Sequence, residues 1–116
     1  MDTKHVDLNY LKEISGEKKD LINEMIEIFN SEVPGYVKLL HEYYKNRNWE
    51  ALEKLSHKAK ASASIMGMKQ LTGELKELEL LAKEKKDNKH IPALLQSIES
   101  EFLAAIKELK SFTKTL

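Results

Sequence analysis

Cysteine is absent from this 116-residue sequence, and glycine and proline are scarce, with four and two copies. Without cysteine there is no disulfide scaffold, no thiolate chemistry and no cysteine-based zinc site. The four glycines are scattered, which excludes a glycine-rich phosphate loop, and no Gly-x-Ser-x-Gly elbow occurs. Charge of one sign is also missing: 19 basic and 19 acidic residues cancel to a formal net charge of zero. That balance argues against broad affinity for nucleic acid, and no basic block or aromatic platform offsets it. No apolar run approaches the roughly 20 residues that cross a bilayer. The N-terminal Met-Asp-Thr-Lys-His-Val-Asp-Leu has no apolar signal core. A cytoplasmic domain without membrane or nucleic-acid partners is expected.

The abundant Leu, Lys, Glu and Ala, with so little Gly and Pro, point to helix throughout. A short helix over about Asp7 to Ser15 carries Leu8, Leu11 and Ile14 on one side, and Gly16 follows as a stop. From about Glu17 to Glu32, the residues Leu21, Ile22, Met25, Ile28 and Phe29 form an amphipathic stripe. Pro34 breaks or bends what precedes it, and Val37, Leu40 and Tyr44 resume a stripe beyond it. Asn48 caps a helix that opens with Trp49-Glu50 and ends near Gly67. The next helix begins almost at once, with Leu71, Leu75, Leu78 and Ala82 on one face, so these two helices run antiparallel.

After the lysine-rich connector from Lys83 to Lys89, Pro92 suits a helix start. Ile91, Leu95, Ile98, Phe102, Ala105, Leu109 and Phe112 then keep an unbroken four-three pattern. At 1.5 Å per residue this helix spans roughly 33 Å. The predicted fold is all-α: an antiparallel up-down four-helix bundle with a short extra N-terminal helix. One domain covers residues 1–116, and a monomer is expected because one bundle already uses its apolar seams.

The stretch from Leu55 to Gly67 stands apart chemically. On a helical wheel of about 100° per residue, Leu52, Leu55, Ala59, Ser62, Ala63 and Met66 gather on one side. His57, Lys60, Ala61 and Ser64 gather near the opposite side, as one patch along the helix. A neutral imidazole is a competent nucleophile towards phosphorus, and the unperturbed pKa near 6.5 leaves much of it neutral at cell pH. The charge of Lys60 would favour the neutral ring and partly balance an attached phosphoryl group. Ala61 and Ser64 lack bulk, so another protein could lower an aspartyl phosphate onto the ring. Phosphoryl transfer depends mostly on positioning and charge stabilisation. The partner would have to supply the metal and the acidic pocket. The di-iron bundle pattern of paired Glu-x-x-His is missing, since Asp87-x-x-His90 is a lone near-miss and His5, His41 and His90 lie in different elements.

The segment Asn48 to Gly67, with His57, Lys60, Ser62 and Gly67 at matching spacing, resembles the histidine-containing phosphotransfer (HPt) domain family. Leu71, Leu75, Leu78, Glu79 and Ala82 are similar to the family's next helix, and Phe29 and Pro34 fall where such domains often carry these residue types. The departure is Ala61, where the family usually has glycine; Lys58 adds a further charge beside the histidine. The resemblance implies a phosphorelay intermediate. His57 would be the phosphoacceptor, Lys60 the charge-balancing group, and Ala61 and Ser64 the floor on which a receiver docks. It implies partners among response-regulator receiver domains or a hybrid sensor histidine kinase. No cofactor of its own is implied, Mg²⁺ coming from the receiver, and no ATP site or turnover. The competing readings are a helical interaction module that accepts no phosphate, which Ala61 favours, and a metal-binding bundle. The starting methionine leans towards a freestanding protein over a segment of a larger kinase.

Overall fold

The computed structural model describes residues 4–115. They form five helices: α1 (Leu8–Ile14), α2 (Lys19–Lys45), α3 (Trp49–Ile65), α4 (Lys69–Lys83) and α5 (Ile91–Thr113). Helices α2, α3, α4 and α5 close a ring in which each packs on the next and α5 returns to α2. The rod measures 45 × 20 × 20 Å, its length set by the 27 residues of α2. This is the expected four-helix bundle with a short N-terminal helix. The outermost residues, 1–3 and 116, lie outside the described residues.

Each long helix buries a four-three stripe. In α4 it is Leu71, Leu75, Leu78 and Ala82, and in α5 it runs from Ile91 through Leu95, Ile98, Phe102, Ala105 and Leu109 to Phe112, both as the spacing predicts. In α2 the buried series is Ile22, Ile26, Phe29, Val33, Tyr36 and Leu40. Leu21 and Ile28, expected in that stripe, are exposed, as is Ile14 of α1. The core thus takes Ile26 and Val33 instead, because only a stripe that alternates four and three stays on one side over 27 residues. Phe29 and Phe102 meet at the centre with ring centroids 6.0 Å apart, and each fully buried side chain of this size contributes about 1.5–3 kcal/mol.

Pro34 does not separate two helices; α2 runs through it. The proline is exposed and removes the amide from which the Asn30 carbonyl would otherwise accept. Val33 and Tyr36, buried on either side, hold the helix to the bundle. Interior proline costs about 3 kcal/mol, which the packing of a helix this long offsets.

The turns follow capping chemistry. The Asn48 side chain accepts from the Ala51 amide at 3.3 Å, as expected for the start of α3. Helix α3 ends in a Schellman motif: the Met68 amide donates to the Ala63 carbonyl and the Gly67 amide to the Ser64 carbonyl, with Gly67 at φ 68°. The chain before α1 is tied down as well. The His5 and Val6 amides both donate to Glu108 Oε1, and the Asp7 amide donates to the Met66 carbonyl.

Candidate functional site

Helices α3 and α4 make the most extensive contact in the bundle. Ala59 and Ala63 sit in the buried stripe of α3 opposite the leucines of α4, and such small side chains shorten the distance between helix axes. Ser56 joins that stripe, returning its hydroxyl to the Leu52 carbonyl at 2.7 Å, while the expected Leu55 and Ser62 are only half-buried. The close approach lets a side chain at the α4 edge reach the outer face of α3.

That side chain is Glu79. His57 projects from α3 with 70% of its side chain exposed, and its Nδ1 lies 3.1 Å from Glu79 Oε2. Lys60, one turn on and three-quarters buried, places Nζ 2.8 Å from Glu79 Oε1. The lysine hydrogen bond is the chief reason that the Glu79 carboxyl is held below its ordinary range; burial opposes this, and His57 adds to it. A carboxylate only accepts, so Nδ1 is the ring nitrogen that donates. The neutral ring then carries its lone pair on Nε2, which has no partner among the described residues. The arrangement orients an imidazole by one nitrogen and leaves the other open to whatever docks.

Ala61 and Ser64 are exposed, and Lys60 lies beside His57 but directed at Glu79. The sequence reading of the site omitted Glu79. It sits 22 residues from His57, and the sequence marks it only as part of the helix that follows the histidine helix, next to the core position Leu78, with nothing to aim it at the ring.

On the other flank of α3, towards α2, Met25, Ile28 and Phe29 face Ser62, Ile65 and Met66 across a cleft of about 130 Å³, with Glu32 at its rim. Ile28 and Ile65 are 50% and 45% exposed, and together make an apolar step beside the histidine helix. The Tyr36 hydroxyl donates to Glu32, and burial together with that bond pushes the phenol up from its usual value. The Lys58 ammonium lies 5.9 Å from the Tyr36 ring centroid, so this second lysine leans away from His57 towards α2.

Among the described residues no group of three or more His, Cys, Asp or Glu side chains could hold a metal ion. His5 pairs with Glu108 and His41 with Glu99. Among the described residues no helix is long and apolar enough to cross a membrane.

The Hpt domain family model matches residues 24–112, a span that contains all of α3 and α4. The crystal structure of histidine-containing phosphotransfer protein B (HptB) from Pseudomonas aeruginosa PAO1 superposes with a TM-score of 0.88, covering 99% of each chain at 24% sequence identity. At that identity the likeness is one of fold. A comparison with curated proteins returns no match.

Proposed function

The chain belongs to the Hpt domain family, and from that premise we propose that it is a phosphorelay intermediate whose phosphoacceptor is His57. The observation that supports the reading is the contact of His57 Nδ1 with Glu79, which leaves Nε2 without a partner on an exposed ring. The Nε2 lone pair attacks the phosphorus of an aspartyl phosphate on a receiver domain. The bond from phosphorus to the aspartate oxygen breaks, the electron pair stays on that carboxylate, and the phosphoryl group ends on Nε2. The reverse sequence passes it to a second receiver. The ring gains positive charge as the new bond forms, and Glu79, already accepting from Nδ1–H, stabilises that charge.

Lys60 balances the phosphoryl charge. In the resting protein its ammonium is held by Glu79, so it stands preplaced within one turn of the ring and costs little to reorient. Ala61 and Ser64 form the floor beneath the incoming aspartyl phosphate, and the apolar step of Ile28 and Ile65 is where the receiver's own apolar surface is buried. The receiver contributes Mg²⁺ and its acidic pocket; this chain has no ATP site and no turnover of its own. Receiver domains or a hybrid histidine kinase are the partners, met in the cytoplasm by a monomeric carrier.

The test is incubation with a phosphorylated receiver and Mg²⁺. Acid-labile phosphate is expected on the wild type and not on His57→Gln, with a ³¹P resonance of the Nε2 isomer. No label on either protein across several receivers would leave a docking module that accepts no phosphate.

A further inference from the structure

Away from the histidine, Glu74 of α4 and Glu101 of α5 meet across the seam between these helices, since Ser97, which bonds Glu74, stands one turn before Glu101 on α5. Glu101 is only 8% exposed, which places it among the few buried polar residues. Glu74 accepts at Oε2 from the Ser97 hydroxyl at 2.7 Å. Its other oxygen, Oε1, and Oε2 of Glu101 are both buried without a hydrogen-bond partner if the two groups are ionised. Two carboxylates cannot satisfy one another, since each only accepts. One proton placed between them removes both deficits, because a protonated carboxyl donates.

Among the described residues no cation takes that role instead. Neither glutamate forms an ion pair among the described residues. The charged and titratable groups facing Glu101 from elsewhere line a cavity of about 370 Å³: Lys4, His5 and Asp7 from the N-terminal segment and Lys69 from the start of α4. The His5 ring is engaged by Glu108. From α4 and α5 themselves, the polar groups against the pair are Ser97, the two glutamates and Gln70, which lines the same cavity but does not partner Glu101 Oε2.

We infer that Glu74 and Glu101 share a single proton, and that this proton clasps α4 to α5, so that the bundle loosens as the pH rises. Burial, followed by the hydrogen bond and charge of Glu74, pushes the Glu101 carboxyl up to about 8 from its ordinary 4.5. A folded value raised above the unfolded one means that the stabilisation is complete below about 4.5 and is lost as pH rises through the folded value. Between those limits unfolding releases one proton, so the unfolding constant rises about tenfold per pH unit relative to a chain lacking the pair. The clasp needs no phosphoryl chemistry and stands apart from the assignment of His57.

Urea unfolding from pH 5 to 9 at fixed ionic strength tests this on wild type and Glu101→Gln, whose amide keeps the shape and donates to Glu74. The wild-type unfolding constant is expected to climb relative to the variant by about tenfold per pH unit between pH 5 and 7. Parallel curves over the whole range overturn the clasp. Carboxyl ¹³C shifts of the wild type give an independent reading even where the variant folds poorly. One of the two carboxyls is expected to remain protonated at pH 6.5, and two ionised carboxyls at that pH overturn the inference.

Discussion

A Cβ built on Gly67 would stand 2.6 Å from the Cβ of Asp7. The turn that ends the histidine helix and the residue that caps α1 therefore share one small space, closed by the hydrogen bond from the Asp7 amide to the Met66 carbonyl at 3.0 Å. Gly67 is also in the left-handed region, at φ 68°, where an L-residue costs about 1–2 kcal/mol. Gly67→Ala is expected to lower stability by about 2 kcal/mol or more. The N-terminal segment should detach as well, read as faster amide exchange at Asp7 and Tyr10.

Gly73 has the opposite character. It lies inside α4, is exposed, and a Cβ there would meet nothing within 4 Å. It serves no close approach of helices, so its flexibility is only a cost. Gly73→Ala should raise stability by about 0.5–1 kcal/mol, seen as a higher urea midpoint with an unchanged m-value.

These two glycines show where the sequence is legible. Gly67 follows an unbroken helical pattern, so its role as a stop could be read, but the crowding by Asp7 joins residues 60 positions apart. Helices α4 and α5 could be read from their spacing because the four-three series is unbroken from end to end, even with Leu80 and Leu81 beside it in α4 and Leu94, Leu103 and Ile106 in α5. In α2 the stripe is flanked by Leu21, Ile28 and Val37, and apolar residues on several faces hide which face is buried. Pro34 left a break and a bend both open, and tertiary packing carries α2 through it. Glu79 belongs to the site only because Ala59 and Ala63 let α4 come close to α3. His57 lies on a patch that periodicity alone marks as outward.

Removing the Glu79 carboxylate should separate orientation from charge. Glu79→Gln keeps an acceptor for His57 Nδ1–H but loses the ion pair with Lys60, whereas Glu79→Ala loses both. Phosphoryl transfer to His57 should slow roughly tenfold in the first and roughly a hundredfold in the second. A transfer rate equal to wild type in Glu79→Ala would remove Glu79 from the mechanism. The lowered Glu79 carboxyl has a further consequence. A folded value depressed below the unfolded one contributes stability above the ordinary 4.5 and loses it as pH falls through the folded value. Glu79→Gln should therefore flatten the acid limb of the stability profile below pH 4.5.

Ala61 is the one residue of the patch whose side chain stands where a bare backbone would give a partner closer access. Ala61→Gly costs about 1 kcal/mol of helix stability and should speed transfer from a phosphorylated receiver several-fold, in rapid-quench measurements at saturating Mg²⁺. Ala61→Val should slow it by at least as much, since two added methyl groups fill the approach to Nε2. Equal rates in all three proteins would exclude this position from the floor.

The apolar step beside the histidine helix supplies the last test. Ile28 and Ile65 are each about half exposed in the free protein, so truncating them disturbs the core little, and stability should change by less than about 1 kcal/mol. Desolvating what remains exposed on each is worth about 1–2 kcal/mol when a partner covers it. Ile28→Ser and Ile65→Ser should each weaken receiver binding roughly five- to thirtyfold by titration calorimetry, with urea midpoints shifted only by that small stability change. Leu103 is the control: it is 49% exposed but sits on α5, across the ring from α3. Area alone would make all three residues equivalent, so the difference between them reads the docking face directly. If Leu103→Ser weakened binding as much as Ile28→Ser, the receiver would dock elsewhere on the bundle.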